Sequence, residues 1–371
     1  GSGFKVLASV GHVRDLSAKN DAIDTENDFQ MQWETSDRGK KVIKEITDAA
    51  KKSENLYLAT DPDREGEAIA WHVEKLLRDN ASLSKLNIHR VTFNEITKNA
   101  VLESLKEPRQ IDENLVNAYL ARRALDFLVG FTLSPVLWRK LPGSKSAGRV
   151  QSVALRIISE RELEIEKFNP QEYWSIQGHF LNKDDKDINA RLTLFDGNKI
   201  DKLDIKDEKQ ASEIYETIKR SHFNVGNITK KEAKRNPYPA FTTSTMQIES
   251  SRKLGLSASQ TMRTAQKLYE GTEIDGETTG LITYMRTDSV VMSNEAINQV
   301  RNFVSENYGN EYLPNAPRVY KSKAKNAQEA HECIRPTNVD LTPQNIMQYI
   351  TGEEHKLYEI IWQRAVSSQM A

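Results

Sequence analysis

The first part of the chain alternates short apolar runs with amphipathic stretches, which is the pattern of a β-sheet covered by helices. Three apolar runs predict strands, at residues 4–10, 56–60 and 88–93. Three stretches with helical periodicity predict helices, at residues 36–50, 67–77 and 97–105. The last helix should stop before Pro108, because proline has no backbone N–H to continue the helical hydrogen bonds. We therefore expect an α/β domain at residues 1–110.

Beyond residue 110 the pattern changes again. Helical periodicity covers residues 113–167, with a break at Pro142, and one further helix is predicted at residues 208–220. Strand-like stretches lie at residues 173–176, 190–194 and 281–285. The expected fold class is multidomain, α/β plus mostly α. After the α/β domain we expect a helical domain at 111–170, a β-rich domain at 171–243 and a mostly helical domain at 244–371.

Composition adds one local feature to this picture. The 371 residues carry 52 Lys plus Arg and 53 Asp plus Glu, so the whole chain has no basic signature of a nucleic-acid-binding protein. The predicted helical domain is nevertheless locally basic, with Arg122, Arg123, Arg139, Lys140, Lys145, Arg149, Arg156 and Arg161. A single cysteine excludes an internal disulfide. The longest apolar stretch, residues 127–138, is too short for a membrane span, so we expect a cytoplasmic protein without membrane contact.

Three acidic residues, Asp61, Asp63 and Glu65, directly follow the predicted strand at 56–60. Ligands of open α/β sheets gather beyond the carboxyl ends of the strands. In an extended backbone, residues two apart point to the same side, so the three carboxylates would form an oxygen-rich site that suits Mg²⁺. The alternative is that these residues cap the next helix and stabilise its N-terminal dipole.

A second candidate is the pair Tyr284 and Arg286, which also stand two residues apart in a strand-like stretch. A phenol beside a guanidinium suits a nucleophile for phosphoryl transfer, because the cation offsets phosphate charge and favours the phenolate. The alternative is a tyrosine that only packs on a sheet. His331 could join this pair as a donor or phosphate contact, although a lone histidine is more often structural.

Together these motifs resemble the type IA DNA topoisomerases. The matching segments occur in family order: SVGHVRDL at 9–16, LATDPDREGEAIAWH at 58–72, FNEIT at 93–97, ARR at 121–123, SAGRVQS at 146–152, TYMRTDS at 283–289 and QEAHE at 328–332. The resemblance implies a TOPRIM α/β domain followed by the helical and mixed β modules of a toroid. It also implies an enzyme that cuts one DNA strand through a 5′-phosphotyrosine, passes another strand and reseals the cut.

The resemblance also implies roles for single residues. Tyr284 matches the nucleophile, Arg286 its phosphate-stabilising neighbour and His331 a histidine beside it. Asp61, Asp63 and Glu65 match the TOPRIM motif that holds Mg²⁺. The positions that match DNA contacts are His12, Arg122, Arg123, Asp126, Trp138, Ser146, Ala147, Gly148, Arg149, Val150 and Gln151. The implied partner is single-stranded DNA within negatively supercoiled duplex. Exchange of one phosphate ester for another needs no ATP, and a monomer at the bacterial nucleoid is expected.

The chain also departs from the family pattern. The family's TOPRIM domain begins with a strand that carries a Glu and a Lys, and residues 1–10 match the segment after it. We therefore expect that residues 1–371 alone relax DNA poorly. Two alternatives stay open at this point: another TOPRIM phosphotransferase, such as a primase or nuclease, and a non-catalytic fragment that binds single strands.

Overall fold

The computed structural model describes residues 3–19, 21–83, 85–233, 235–321 and 332–371. The chain forms two compact units, one from residues 1–144 and 235–371, the other from residues 145–234. The boundary between the units at residue 144 lies inside the predicted helical domain 111–170. The division into four domains stays a prediction.

The first unit opens with four short strands, β1 (Arg14–Leu16), β2 (Ile23–Asp24), β3 (Gln30–Met31) and β4 (Trp33–Thr35). β1 pairs with β4 and β2 with β3, both antiparallel. The strand predicted at residues 4–10 is wrong, because the segment has no ladder with any described residue. Phe4, Val6 and Val10 are exposed, so the apolar run does not mark the buried face of a strand, although Leu7 packs partly buried against the core of the α/β domain.

The α/β part follows as α1 (Asp37–Ala50), β5 (Asn55–Leu58), α2 (Arg64–Arg78), β6 (Asn87–Arg90) and α3 (Lys98–Lys106). β5 and β6 are parallel neighbours, with Leu58 opposite Arg90 at the end of the ladder. Ile46 of α1 and Val73 of α2 are buried in the same core as Leu58. The predicted α/β architecture is thereby confirmed, and its sheet ends where the acidic motif begins.

The chain then runs through α4 (Glu113–Lys140) into the second unit. That unit contains α5 (Arg149–Glu166), β7 (Gln177–Leu181), β8 (Asp187–Arg191), β9 (Leu194–Phe195), β10 (Asn198–Lys199) and α6 (Glu208–Lys219). The predicted break near Pro142 is confirmed, since Gly143 has a φ of +89°. The strand predicted at 173–176 is wrong, because the ladder of β7 with β8 begins only at Gln177. A small core of Ile205, Ala211 and Ile214 holds this unit together.

The first unit resumes with α7 (Thr243–Leu254), α8 (Ala258–Glu270), β11 (Thr272–Ile274), β12 (Glu277–Thr279), α9 (Asn294–Asn307), α10 (Pro343–Ile346) and α11 (Gly352–Ser367). The strand predicted at 281–285 is wrong, since Ile282 makes only an isolated bridge with Pro336. Proline offers no N–H, so a regular ladder cannot continue there. This segment crosses the largest core of the chain. Among the described residues, no helix has the length and apolar character needed to cross a membrane.

Candidate functional site

The acidic loop between β5 and α2 is shaped by helix capping. Asp63 is the N-cap of α2, and its Oδ1 accepts a hydrogen bond from the Gly66 N–H at 2.8 Å. Thr60 Oγ1 closes the loop by donating to the Gly66 carbonyl at 2.6 Å. Because the helix starts at Arg64, Glu65 lies in its first turn. The expected extended backbone with three carboxylates in a row is therefore wrong, and the capping alternative is confirmed for Asp63.

The same Asp63 carboxylate meets the predicted nucleophile. Tyr284 is only 2% exposed, and its hydroxyl donates to Asp63 Oδ2 at 2.7 Å. Arg286 Nη1 lies 3.5 Å from the same oxygen. The Tyr284 backbone N–H is held by the Asn94 carbonyl at 2.8 Å, and the Tyr269 ring packs edge-on at 5.2 Å between centroids. Phenol and guanidinium thus converge on one oxygen of the acidic loop.

The electrostatics of the phenol differ from the sequence expectation. Burial, reinforced by the charges of Asp63 and Asp61, raises the pKa of Tyr284 well above its ordinary value. Arg286 lowers that pKa but offsets only part of the rise. Arg286 acts in the predicted direction, but desolvation and two carboxylates outweigh one cation, so the net shift in this arrangement disfavours the phenolate. The neutral phenol is favoured, and its hydroxyl donates a hydrogen bond to Asp63.

The acidic loop carries oxygen donors of the kind that Mg²⁺ prefers. Burial, followed by the nearby charge of Asp63, raises the pKa of Asp61. Two carboxylates that repel each other in a partly buried place are stabilised by a bound cation, and hard oxygen donors suit Mg²⁺. Among the described residues, no three His, Cys, Asp or Glu side chains are already grouped to hold a metal ion. The donors fit Mg²⁺, although their side chains are not gathered into a cluster.

Glu65 faces a different set of partners. His12 Nε2 lies 3.2 Å from Glu65 Oε2, and Arg122 Nη1 lies 4.0 Å from Glu65 Oε1. The hydrogen bond with His12 lowers the pKa of Glu65. The His12 ring stacks on Tyr119 of α4 at 5.3 Å between centroids. Glu65 therefore joins the acidic loop to the basic helix α4, while Asp63 joins it to Tyr284.

The predicted DNA-contact residues of α4 lie along one helix. Arg122 is 4.0 Å from Asp126, one turn further on. Arg123 Nη2 binds Asp15 of β1 at 2.8 Å, which anchors the helix to the small β ladder. Trp138, near the end of α4, is 59% exposed, so its ring is accessible for stacking. The helix thus places a basic group beside the acidic loop and an exposed aromatic ring towards its other end.

The remaining predicted positions belong to the second unit, except for His331. Residues 146–151 belong to the second unit, where Gly148 is the N-cap of α5. Gln151 Nε2 donates to Ser146 Oγ at 3.1 Å, which closes the loop before the helix. Ala147 and Arg149 flank the cap, and Val150 is 67% exposed. His331 lies outside the described residues.

His72 of α2 is fully buried next to this site. Its Nδ1 accepts from Arg14 Nε at 2.6 Å, and its Nε2 has no hydrogen-bond partner among the described residues. The rings of Trp33 and Trp71 pack around it at 4.7 and 4.8 Å. Burial, then the positive charge of Arg14, lowers the pKa of His72 to about 3.

This shift predicts a loss of stability in acid. Below about pH 6.5 the unfolded chain takes up a proton at His72 that the folded chain does not, so the free energy of unfolding falls as the pH is lowered towards 3. His72 contributes up to about 1.4 kcal/mol per pH unit in that window. His72→Asn keeps an acceptor for Arg14 and does not titrate. Its free energy of unfolding, measured by urea unfolding between pH 7 and 4.5, should therefore depend less steeply on pH than that of the wild type. His222→Asn, at an exposed position, should follow the wild type. Equal slopes for wild type and His72→Asn would contradict the prediction.

The structure adds a set of charged residues that the sequence analysis missed. Glu67 and Arg90 are fully buried and bonded to each other at 2.9 Å, and Arg109 also binds Glu67. A signal was present, because an arginine within a predicted buried strand is rarely found without a partner. The partner could not be named from the sequence, since Glu67 lies 23 residues away on α2.

Comparison with known proteins agrees with this geometry. A family profile for the Toprim domain matches residues 1–96, and one for DNA topoisomerase matches residues 110–371. The Toprim domain is generally a Mg²⁺-binding fold, and the type IA topoisomerase family binds DNA. The first matched range contains the acidic loop, and the second contains Tyr284.

Named relatives and a solved structure extend this agreement over the whole chain. DNA topoisomerase 1 of Rickettsia felis is 53% identical over 371 residues, which are 100% of this chain and 48% of the relative. The same enzyme of Xylella fastidiosa is 49% identical and is covered to 46%. Full-length topoisomerase I from Thermotoga maritima superposes with a TM-score of 0.82 at 39% identity, over 100% of this chain and 58% of that chain. The chain therefore spans about half the length of these relatives.

The order of the motifs, the Toprim loop beside Tyr284 and the match over all 371 residues lead to one conclusion: this chain belongs to the type IA DNA topoisomerase family.

Proposed function

We propose that the protein relaxes negatively supercoiled DNA by cutting one strand, passing another strand through the cut and resealing it, with Mg²⁺ and without ATP. The observation that carries the proposal is the convergence of the Tyr284 hydroxyl and the Arg286 guanidinium on Asp63. A nucleophile, a cation for phosphate charge and a proton acceptor are the groups that a phosphoryl transfer needs.

In the proposed step, the Tyr284 oxygen attacks a phosphodiester of single-stranded DNA. The bond from phosphorus to the tyrosine oxygen forms as the bond to the 3′ oxygen breaks, which leaves a 5′-phosphotyrosine and a free 3′ hydroxyl. Asp63 is placed to accept the phenolic proton at 2.7 Å, and the step balances when that proton is passed on to the leaving 3′ oxygen. Arg286 offsets the charge of the phosphate. Because one ester replaces another at similar energy, the reverse reaction reseals the strand.

Magnesium would be held by Asp61, Asp63 and Glu65 of the acidic loop. When bound, it supplies positive charge that stabilises the developing charge on the phosphate oxygens. Burial and then the charge of Asp63 raise the pKa of Asp61, and a bound cation would offset both effects by stabilising the ionised carboxylate, which supports this assignment.

The described arrangement is closed at the nucleophile. Tyr284 is 2% exposed and Asp63 is 6% exposed, so a phosphate cannot reach the phenol while they stay in contact. We propose that DNA enters when the segment around Tyr284 separates from the acidic loop. Strand passage would use the same separation, since the cut ends must move apart.

Single-stranded DNA is the proposed substrate, with the protein acting as a monomer on the chromosome in the cytoplasm. His12 and Arg122 lie beside Glu65 of the acidic loop, and Arg123 follows Arg122 on α4. These three side chains would hold the DNA phosphates. Trp138 would stack on a base, and residues 146–151 would add further contacts to the sugar-phosphate backbone of the DNA.

The test uses the complete protein that carries this chain and a single-stranded oligonucleotide labelled at its 3′ end. With Mg²⁺, a 5′-phosphotyrosine leaves the label on the protein, and proteolysis should place it on the peptide with Tyr284. A chelator should prevent resealing of the cut. Label on another peptide, or retention only of a 5′ label, would refute the proposal.

DNA binding itself predicts a salt dependence. Arg122→Gln removes one proposed phosphate contact, so the slope of log Kd against log salt should become shallower by about 0.7 for single strands. Affinity should fall for every oligonucleotide sequence alike, because a phosphate carries no sequence information. Lys44→Gln on α1, an exposed lysine far from the loop in sequence, is the control and should leave the slope unchanged. An unchanged slope in Arg122→Gln, measured by fluorescence anisotropy, would contradict this role.

A further inference from the structure

Arg90 stands at the last position of β6, opposite Leu58 at the end of the parallel ladder. Strand β5 ends at Leu58, so the backbone carbonyls of the residues after Leu58 have no partner in the β5–β6 ladder. Arg90 Nη1 donates to the Thr60 carbonyl at 2.8 Å, and Nη2 donates to the Asp61 carbonyl at 2.6 Å. The Arg90 side chain thus supplies hydrogen bonds to these carbonyls, as a neighbouring strand would do if the ladder continued into the acidic loop.

The guanidinium of Arg90 is itself fixed by a buried carboxylate. Its Nε donates to Glu67 Oε2 at 2.9 Å, and both side chains have no exposed surface. Glu67 also accepts from Arg109 at 2.6 and 2.9 Å and from the Asp112 N–H at 2.7 Å. Asp112 is the N-cap of α4, so the same carboxylate links the acidic loop to the start of the basic helix.

A buried ion pair of this kind needs an explanation besides stability. Apolar residues of similar size often stabilise a fold as well as a buried pair does. Here the charged pair does what apolar residues cannot do, because four donor contacts of Arg90 end on backbone carbonyls of Leu58, Thr60, Asp61 and Val91. Two of those carbonyls belong to the acidic loop or to the residue just before it.

We propose that Arg90 is a positioning residue for metal binding: its guanidinium fixes the Thr60 and Asp61 carbonyls so that the carboxylates of the acidic loop can be gathered around Mg²⁺. This inference rests on the proposed function. Arg90 would hold the acidic loop in place and would contact neither the DNA nor the metal ion.

The test compares two substitutions that both keep a positive charge beside Glu67. Arg90→Lys loses the fork that reaches the Thr60 and Asp61 carbonyls. Arg109→Lys is the matched control, because Arg109 binds Glu67 and the Gln110 carbonyl but not the acidic loop.

Mg²⁺ affinity is measured by calorimetry, and hydrogen exchange of the Gly66 amide is measured without metal. Arg90→Lys should weaken Mg²⁺ binding by about tenfold, the usual effect of losing an outer-shell partner. Its Gly66 amide should exchange faster, and Arg109→Lys should match the wild type in both.

Equal Mg²⁺ affinity in the two variants, whether unchanged or equally weakened, would overturn the inference. If the wild type itself bound no Mg²⁺, the metal part of the proposed function would fail and the inferred role in metal binding with it, while the Gly66 exchange rate would still show whether Arg90 holds the loop. Should Arg90→Lys not fold, Arg90→Met combined with Glu67→Leu removes both buried charges and should fold. Wild-type Mg²⁺ affinity in that folded double variant would also overturn the inference.

Discussion

Tyr284→Phe should abolish the covalent protein–DNA adduct while leaving single-strand binding intact. Without the hydroxyl no phosphotyrosine can form, so cleavage should fall by about 10⁴-fold or more, the scale of removing a covalent nucleophile. The fold should survive, since the substitution deletes a buried hydrogen bond to the Asp63 carboxylate, worth about 2 kcal/mol. The measurement is transfer of a 3′-labelled oligonucleotide to the protein, with anisotropy for binding.

Tyr269→Phe is the matched control for this experiment. Tyr269 is also a buried phenol, packed 5.2 Å from the Tyr284 ring, but its hydroxyl makes only a 3.5 Å contact with the Phe93 carbonyl. It should keep the adduct, because it lacks a carboxylate partner within hydrogen-bonding distance among the described residues. An adduct that persists in Tyr284→Phe would remove Tyr284 from the mechanism. Loss of the adduct in both variants would indicate that packing between the rings, not the nucleophile, had been disturbed.

The local features of the fold were predictable where a short sequence motif decides them. Helix α1 was placed within one residue, because Ser36 caps it and Ile46 and Ala50 mark its buried face. Helix α2 begins three residues earlier than predicted, since Asp63 acts as a cap and not as part of an extended row. In both cases the decisive interaction lies within a few residues of the helix end.

Features that depend on distant parts of the chain were not predictable in the same way. The proton state of Tyr284 follows from Asp63, 221 residues earlier, and from burial that no local pattern reveals. The strand predicted at residues 4–10 failed for a related reason, because an apolar run becomes a strand only when a neighbour pairs with it. The pairing of Arg90 with Glu67 likewise required the parallel ladder that brings β6 beside the acidic loop.

Gly66 illustrates a constraint that is visible only in three dimensions. A Cβ at this position would lie 2.1 Å from the Asp61 carbonyl oxygen and 2.8 Å from the Asp61 carbonyl carbon and nitrogen. All three contacts are to backbone, so no side-chain movement can relieve them. Gly66→Ala should therefore push the acidic loop away from α2 and lower the free energy of unfolding by about 3 kcal/mol. Mg²⁺ binding should be lost with the loop, as measured by calorimetry beside urea unfolding.

Gly130→Ala gives the opposite expectation from the same substitution. Gly130 lies inside helix α4, and a Cβ there would meet no atom within 4 Å. Alanine has the higher helix propensity, so stability should rise by about 1 kcal/mol while Mg²⁺ binding stays at the wild-type level. If Gly66→Ala were as stable as the wild type, the close approach of α2 to Asp61 would be wrong. If it were unstable but still bound Mg²⁺ normally, the acidic loop would not need its contact with α2, and capping and close packing would not shape the proposed Mg²⁺ site.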